Sequence, residues 1–493
     1  MFELAAAFLV ALSISLILTP WIRTAALRLG AIDHALTSRK IHGRPVPRLG
    51  GIAIVAAFLV TLALRSLWNG DVAGWLLADH RQLPGILLGS LAITLLGVVD
   101  DLRGSSARAK LAVQLGAAAF LWWAGFRIER IATPFGAPVE LGAVGFPLTL
   151  LWIAGVTNAL NLIDGLDGLA GGVGFTASVA MLWISWQAGA ILPALFMASL
   201  AGALLGFLRY NFNPASIFMG DSGSMFIGFV LAATSLQANV RVPDAVALLV
   251  PIVALGLPIG DTLVSMARRA LRGQPVFVSD RGHIHHRLLG LGLSHRTTVI
   301  VLYLVSAVLG AFAVALSRAD GPQTVAFLVA LVAFALLLLS VTGYVRPGET
   351  GKLLRDRRRN LEMRAAVRRA AMTLRSAARP EDVWQAVKGL APAVGAPCAG
   401  LTVVCRNGDV QRTEYAHGFD DASEDLFRAR FSLMGERPDE GYIELGWNDG
   451  RSGIDRDTEI AVELLCEHVR ETLERLDVSD QAGRRSNLVS FRR

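Results

Sequence analysis

The first 345 residues consist of repeated apolar stretches, each about 20 residues long, and this pattern restricts the fold more than any other feature. A stretch of that length is what a helix needs to cross the hydrocarbon core of a bilayer. The whole chain of 493 residues is 53% hydrophobic and only 18% charged, which is too apolar for a soluble protein of this length. We therefore predict an all-α polytopic membrane protein with about eleven transmembrane helices. They lie near 2–22, 50–68, 83–99, 109–125, 147–161, 170–186, 190–208, 224–237, 245–265, 298–317 and 324–345.

The basic residues between these stretches predict the orientation. With the N-terminus outside, sixteen Lys and Arg residues fall on the inner side and six on the outer side. This asymmetry obeys the positive-inside rule and predicts a cytoplasmic C-terminus in a multi-pass protein of the cell (inner) membrane. The net charge of +7 is explained in the same way, so we expect no nucleic-acid partner. In segment 127–145, on the outer side, apolar and polar residues alternate around a Pro/Gly turn. This pattern predicts a β-hairpin.

The polar composition after residue 345 divides the chain into further parts. We predict a membrane-embedded domain over 1–345, a basic juxtamembrane helix or linker over 346–380, a soluble domain over 381–480 and a disordered tail over 481–493. The order helix, strands, long helix in the soluble part resembles a GAF domain, so we expect a cytoplasmic α/β fold there. Its three cysteines, Cys398, Cys405 and Cys466, have no zinc spacing and indicate buried thiols in a reducing compartment.

Four polar patches interrupt the apolar pattern at predicted helix ends. The first is the pair Asp100 and Asp101, followed by Lys110. Charges at a membrane boundary are costly and usually serve a site. Two adjacent carboxylates could bind a divalent cation, deprotonate a nucleophile or orient a lysine, although a simple helix-end anchor is a common alternative.

The second patch, NALNLIDGLDG, spaces its polar residues along one helix face. Asn158 and Asn161 are i, i+3 neighbours, and Asp164 and Asp167 continue the spacing, with Gly165 allowing close backbone approach. Amide and carboxylate oxygens suit a hard cation such as Mg²⁺. The alternative, polar contacts that hold helices together, does not explain four such side chains in ten residues.

The third and fourth patches offer groups that bind phosphates or metals. Asp221, in FMGDSGS, precedes a helix start, where it could cap the helix or hold a metal or phosphate. The cluster HIHHR contains His283, His285, His286 and Arg287. Three histidines could bind zinc, but no Cys or Glu ligand is near, and contact with a diphosphate fits the acidic neighbours better.

The four patches together suit a nucleotide-diphosphate donor that meets a lipid phosphate acceptor, because phosphoryl transfer depends on positioning and charge neutralisation. Two other classes stay open. A multi-span ion or solute transporter would also carry acids, although these cluster at one face rather than at mid-bilayer. A membrane-anchored sensor acting through the C-terminal domain would need far fewer spans.

Residues 1–345 resemble the polyprenyl-phosphate N-acetylhexosamine-1-phosphate transferases. The resemblance rests on VVDDLRGSSARAK, NALNLIDGLDGLAGG, NPASIFMGDSGS and HIHHRLL, which occur in the family's order. SDRGHIHHRLL is more similar to the GlcNAc-1-phosphate branch than to the MurNAc-pentapeptide branch. The resemblance implies transfer of an N-acetylhexosamine 1-phosphate, most simply GlcNAc-1-phosphate, from a UDP-N-acetylhexosamine to undecaprenyl phosphate. UMP would be released, in the first membrane step of cell-surface polysaccharide synthesis.

The resemblance also implies roles for individual residues. Catalytic roles fall on Asp100, Asp101 and Asp164; substrate contacts on Lys110, Gly165, Asp167, His283, His285, His286 and Arg287; and metal binding on Asn161 and Asp221. The implied cofactor is Mg²⁺, with Mn²⁺ as an alternative. The expected partners are the two substrates and membrane lipid. A homodimer is possible, and so is a small-molecule or protein partner for the C-terminal domain. Asp261, in a broken span, has no assigned role.

Overall fold

The computed structural model describes residues 1–33, 45–68, 74, 81–133, 136–238, 249–271, 273, 282–344, 350–404, 410–416, 427–433 and 441–482. The chain forms two compact units. The first comprises Met1–Ser265 and Ser279–Arg346, and the second comprises Met266–Val278 and Pro347–Arg493. The predicted division near residue 345 therefore lies close to the boundary, but a short segment from within the predicted membrane domain joins the second unit.

The first unit is built almost entirely from helices. They are α1 (Phe2–Arg28), α2 (Gly51–Trp68), α3 (Gln82–Arg103), α4 (Ala107–Trp123), α5 (Gly145–Ile163), α6 (Leu169–Gln187), α7 (Ile191–Asn211), α8 (Gly220–Ala238), α9 (Leu249–Ala254), α10 (Gly256–Leu271), α11 (Ile284–Gly290), α12 (His295–Leu316) and α13 (Gly321–Val341). The last turn and a half of α10, from Met266, belongs to the second unit.

Within the described residues, eight of these helices are long and apolar enough to cross a membrane. This confirms a polytopic, mainly helical membrane protein. The other three predicted spans coincide with α4, with α8 and with the broken pair α9 and α10. The count of eleven spans therefore stays a prediction.

Small residues allow the backbones of neighbouring helices to approach closely. A Cβ atom on Gly202 would lie 2.1 Å from the carbonyl oxygen of Phe8, and one on Gly206 would lie 2.7 Å from that of Leu12. Helices α1 and α7 therefore pack backbone to backbone, as small residues permit where lipid provides no hydrophobic driving force. Helix α7 is the central element, with Phe196, Leu200 and Phe207 fully buried.

Two small sheets accompany these helices. Strands β1 (Ile32–Asp33) and β2 (Val46–Pro47) pair antiparallel. Strands β3 (Arg130–Thr133) and β4 (Gly136–Glu140) also pair antiparallel, with Ile131 opposite Val139, which confirms the predicted hairpin. A short 3₁₀ turn, Gly142–Val144, then leads into α5.

The described residues of the second unit from Thr350 onward form a four-stranded antiparallel sheet and three helices. The helices are α14 (Thr350–Ser376), α15 (Pro380–Leu390) and α16 (Arg456–Ala482), with a 3₁₀ turn at Ala391–Val394. The strands are β5 (Cys398–Val404), β6 (Val410–Ala416), β7 (Phe427–Ser432) and β8 (Gly441–Trp447), in the order β6-β5-β8-β7.

The core of this unit lies between the sheet and the helices. Trp447 is fully buried, and its indole N–H donates to the carbonyl of Val394 at 3.2 Å. The thiols of Cys398 and Cys466 are buried, whereas Cys405 lies outside the described residues. The strand predicted at GYIELGW and the final long helix are both present. The GAF-like class of the domain stays a prediction.

Candidate active site

A lysine joins two of the four patches predicted from the sequence. Lys110, in the first turn of α4, places its Nζ atom 2.8 Å from Oδ2 of Asp100 and 2.6 Å from Oδ2 of Asp221. These carboxylates lie 121 positions apart in sequence, at the end of α3 and the start of α8. All three side chains are between 16% and 25% exposed, so the ion pairs are shielded yet reachable from solvent. The first and third patches therefore form one centre.

Asp101 has a different environment from Asp100. Its Oδ1 and Oδ2 atoms accept the backbone N–H groups of Asp221 at 2.9 Å and Ser222 at 3.1 Å. These are among the N–H groups that a helix start leaves without a partner inside the helix, and the dipole there favours a negative charge. Asp101 thus caps α8 from the neighbouring helix α3. Asp221 itself, expected from the sequence to be a potential cap, is free to pair with Lys110.

Glycines bring α2 and α3 against the start of α8. A Cβ atom on Gly51 would lie 2.1 Å from the Gly223 nitrogen, and one on Gly97 would lie 2.4 Å from the Ser222 Cα atom. Gly220 has a φ of 71°, and a Cβ atom there would lie 2.4 Å from Oδ2 of Asp101. A side chain at any of these positions would push α8 away from the carboxylates that meet at its start.

The two asparagines of the second patch have separate environments. Asn161 donates to Oγ of Ser224 at 2.9 Å, which places its amide beside the start of α8. Asn158 instead pairs with the buried Gln114 of α4, through bonds of 2.6 and 3.3 Å. Asn158 therefore holds α4 against α5, while Asn161 lies at the centre.

Asp164 follows directly after α5 ends. Burial raises the pKa of its carboxyl to about 8, and the charges of Asp221, Asp101 and Asp167 act in the same direction. In the described part of the chain no side chain forms an ion pair or hydrogen bond with this carboxylate. The second patch thus adds a further carboxyl to the electrostatic field of the centre.

The second and fourth patches meet at Gly165. A Cβ atom on Gly165 would lie 2.5 Å from Nε2 of His285, so only glycine allows this imidazole to lie against the loop. His285 is 2% exposed, and its Nδ1 atom is buried without a hydrogen-bond partner. Burial, followed by the neighbouring charge of His286, lowers the pKa of His285 to about 3, so the ring is neutral at pH 7. The rings of His285 and His286 lie 4.3 Å apart.

The first residue of the histidine cluster is held by Asp261, an acid for which no role was predicted. Oδ2 of Asp261 lies 2.8 Å from Nδ1 of His283, and Oδ1 accepts the backbone N–H of Ile284 at 2.7 Å. The Tyr344 hydroxyl lies 2.9 Å from the same Oδ1. The signal for Asp261 was a lone carboxylate inside an apolar span, and its partner lies 22 residues away, so sequence spacing could not reveal it.

Arg287 joins the same network from α11. Its Nη1 atom donates to the carbonyl of Gly343 at 2.8 Å, and its guanidinium lies 4.0 Å from the centre of the Tyr344 ring. The cation satisfies a carbonyl just after the end of α13 and stacks on an aromatic face. Its phosphate contact stays a prediction.

Asp167 is engaged within the loops around the site. Its Oδ2 atom accepts from Nδ2 of Asn213 at 2.9 Å and from the backbone N–H of Ala215 at 3.0 Å. Its own backbone N–H donates to Nε2 of His295 at 3.1 Å. These contacts fix the Asn213–Pro214 turn against the second patch. The predicted contact of Asp167 and Gly165 with uridine stays a prediction.

The donor set of the centre fits a hard divalent cation that is shared with substrate. Asp100, Asp101 and Asp221 oppose the single charge of Lys110, which leaves the centre negative, and Asp164 adds a carboxyl whose raised pKa keeps it mostly protonated at pH 7. The described residues contain no group of three or more His, Cys, Asp and Glu side chains arranged to hold a metal alone. Mg²⁺ commonly binds through one or two carboxylates plus substrate phosphates and water, so such a group is not required.

The fold and the site define a polytopic membrane protein with an acidic, lysine-bridged centre at the ends of its helices. Residues 83–239 match glycosyl transferase family 4. The chain belongs to this family, and the resemblance to the polyprenyl-phosphate N-acetylhexosamine-1-phosphate transferases is confirmed.

Three relatives are similar to this chain. A probable undecaprenyl-phosphate N-acetylglucosaminyl 1-phosphate transferase of Bacillus subtilis is 37% identical over 346 residues, which cover 70% of this chain and 94% of the relative. A decaprenyl-phosphate N-acetylglucosaminephosphotransferase of Mycolicibacterium smegmatis is 34% identical, covering 71% of this chain and 90% of the relative. An undecaprenyl-phosphate alpha-N-acetylglucosaminyl 1-phosphate transferase of Salmonella typhi is 27% identical, covering 64% and 84%.

Proposed function

We propose that this protein transfers N-acetylglucosamine 1-phosphate from UDP-N-acetylglucosamine to undecaprenyl phosphate and releases UMP. The observation that carries the proposal is the Lys110 bridge between Asp100 and Asp221, which joins family motifs from three helices in one centre. The activities named for the relatives, at 27% to 37% identity, support the same reaction. The reaction would start the synthesis of a cell-surface polysaccharide on its lipid carrier.

In this reaction an oxygen of the lipid phosphate attacks the phosphorus that bears the sugar. The bond between that phosphorus and the oxygen bridging to the UMP phosphate breaks, and UMP leaves. Asp100 is the better placed of the two adjacent acids to take a proton from the acceptor phosphate or to orient it. Both oxygens of Asp101 already accept backbone N–H groups at the start of α8. Lys110 lies where it can pair with phosphate oxygens.

Asn161 and Asp221 are proposed to hold Mg²⁺. Asp164 is proposed to stabilise the bound ion electrostatically, without contacting it. The ion, when bound, neutralises the charge of the diphosphate and favours departure of UMP. The closeness of Asp164 to the charges of Asp221 and Asp101 supports this assignment, because a divalent cation placed among these carboxyls would favour their ionised forms.

The histidine cluster is proposed to contact phosphates opposite the carboxylates. A neutral His285 can still donate one hydrogen bond, and its unpartnered Nδ1 atom leaves that capacity unused within the described residues. Its position against Gly165 supports a phosphate contact beside the second patch.

The site is proposed to face the cytoplasm of an inner membrane, with the N-terminus outside. Positive-inside asymmetry supports this orientation. A cytosolic donor requires it as well. On the outer side, Arg81 and Arg127 lie over the rings of Trp123 and Trp122, at 5.5 and 5.1 Å. Such aromatic residues favour the membrane interface.

The test is release of UMP by purified protein given undecaprenyl phosphate, Mg²⁺ and one of three donors: UDP-GlcNAc, UDP-GalNAc or UDP-MurNAc-pentapeptide. We expect release with UDP-GlcNAc that depends on both the lipid phosphate and the metal. Lys110→Met tests the centre, and Arg369→Met, on an exposed face of α14, is the matched control. If UDP-MurNAc-pentapeptide is the one donor that is turned over, the assignment of the sugar is wrong. If turnover does not depend on the metal, the assignment of the metal is wrong.

A further inference from the structure

The second unit contains a cavity between two of its helices that the transferase reaction does not use. The cavity has a volume of about 340 Å³ and lies between α14 and α16. Its apolar wall comes from Met363, Val367, Ile460 and Leu464. Its polar lining comes from Asn360, Arg364, Arg368 and Asp457. An apolar cavity with a few convergent polar groups is the usual form of a small-molecule site, and this volume lies at the lower end of the range for such sites.

The helices that form this cavity are fixed to each other on both sides of it. On one side, Arg359 in the first half of α14 donates to Oγ1 of Thr458 at 2.9 Å and pairs with Asp455. Near its end, Arg475 of α16 donates to the carbonyls of Leu374 and Arg375, at 2.6 and 2.9 Å. A cavity held between such ties is preformed, so a ligand does not have to separate the helices.

One arginine of the lining also carries a buried donor that has no partner within the described residues. The Nη2 atom of Arg364 is buried and has no hydrogen-bond partner within the described residues. Burial lowers the pKa of this guanidinium, and the charges of Arg368 and Arg269 add to the effect, while Asp457 opposes it. A buried donor without an acceptor costs free energy, so an acceptor supplied by a ligand would be favoured.

The local charges select the kind of anion. Within the lining, Arg364 and Arg368 carry two positive charges and Asp457 carries one negative charge, which leaves a net charge of +1, and Arg269 adds a further positive charge near Arg364. A phosphomonoester carries roughly −1.5 to −2 at pH 7, whereas a carboxylate carries −1. The guanidinium fork also matches the oxygens of a phosphate.

We infer that the cavity between α14 and α16 binds a small organic phosphomonoester, with its phosphate on Arg364 and Arg368 and its apolar body against Met363, Ile460 and Leu464. The C-terminal domain is then a ligand-binding domain attached to the transferase. This site is independent of the sugar donor, because its lining contains none of the residues of the acidic centre.

The experiment measures binding of phenyl phosphate to the full-length protein in a detergent without phospholipid, by isothermal titration calorimetry. Phenol, benzoate and inorganic phosphate are titrated in parallel. We expect phenyl phosphate to bind most tightly, and phenol to bind at least roughly tenfold more weakly because it lacks the phosphate. Arg364→Met should weaken phenyl phosphate binding by roughly tenfold or more, and Arg369→Met should leave it unchanged.

A second variant tests the apolar wall. Leu464→Ser should weaken the binding of phenyl phosphate but not that of inorganic phosphate, because it removes apolar surface and no charge. If Arg364→Met fails to fold, as measured by thermal unfolding, this variant gives the decisive comparison. If phenyl phosphate binds equally to wild type, Arg364→Met and Leu464→Ser, it is held elsewhere, for example at the acidic centre, and the proposal is wrong. Benzoate binding as tightly as phenyl phosphate would overturn the phosphate assignment.

A lipid surface is the competing occupant, and flotation on vesicles separates the two. Wild type and Arg364→Met are compared on vesicles of phosphatidylglycerol and of phosphatidylcholine. If Arg364→Met loses retention on phosphatidylglycerol while its phenyl phosphate binding is unchanged, the arginines serve lipid and the proposal is wrong. Equal retention of both proteins together with lost phenyl phosphate binding supports the small-molecule site.

Discussion

The carboxylate of Asp101 accepts the backbone N–H of Asp221 at 2.9 Å. The second acid of the first patch therefore caps helix α8, which begins at the third patch. Its neighbour Asp100 instead pairs with Lys110 at 2.8 Å. Two adjacent residues of one type thus have different partners. The difference separates a residue that positions the site from one that can act in the reaction.

This separation predicts different results for the two aspartates. Asp101→Ala should lower the thermal stability of the protein, since loss of a helix cap costs about 0.5–2 kcal/mol, and should lower turnover through displacement of Asp221. Asp100→Ala should lower turnover by roughly 10²-fold or more with little change in stability. Thermal unfolding in detergent and UMP release measure the two effects. Equal destabilisation by both changes would contradict the assignment.

Asp221→Asn should abolish turnover while membrane insertion and folding are retained. The amide keeps the shape of the side chain but loses the charge that pairs with Lys110 and that we propose holds Mg²⁺. Turnover is measured across a range of Mg²⁺ concentrations, with Asn158→Asp as a control at a nearby amide that pairs with Gln114. Near wild-type turnover of Asp221→Asn at saturating Mg²⁺ would show that the metal assignment is wrong.

Asp261 should act by positioning the histidine cluster. Asp261→Asn weakens the bond to His283 and should raise the KM for donor more than it lowers kcat, because the cluster loses its orientation rather than a reacting group. Tyr344→Phe removes one hydroxyl from the same carboxylate and should give a smaller effect in the same direction. A loss confined to kcat in Asp261→Asn would point to a direct role in the chemistry.

The C-terminal domain should be dispensable for turnover. Every contact of the acidic centre and of the histidine cluster described above lies before residue 345. Truncation after Arg346, at the end of the first unit, should therefore leave turnover in detergent. Truncation after Thr342 is the control, because it removes Gly343 and Tyr344, which contact Arg287 and Asp261, and should lower turnover. Loss of turnover in a well-folded protein ending at Arg346 would show that the tail completes the site.

The orientation of the site can be read by cysteine labelling in intact cells. The background is a chain with Cys398, Cys405 and Cys466 replaced by serine. A cysteine placed near Asp167 or His285 should resist a membrane-impermeant thiol reagent in cells and react in inverted vesicles, and one near Gly136 should do the opposite. Labelling near His285 from outside would overturn the orientation and the transferase proposal, because no cytosolic donor reaches that face.

The sequence alone determined the membrane class, the approximate positions of the helices and the four patches. Apolar length and the placement of charge are local properties that the bilayer imposes on each segment separately. The motifs VVDD, FMGDSGS and HIHH likewise indicated the family, because each lies within one short stretch of chain. The hairpin over 127–145 was also predictable, since its alternation and turn are local.

Only the tertiary structure decided which residue contacts which. Lys110 joins acids from α3 and α8. Asp261, for which no role was predicted from the sequence, contacts His283 from α10. The separate environments of Asp100 and Asp101, and of Asn158 and Asn161, depend on which neighbouring helix each side chain faces. Those neighbours are fixed by close backbone contacts at Gly51 and Gly97. Helix-to-helix packing is a property of surfaces distant in sequence, so no local pattern in one segment contains it.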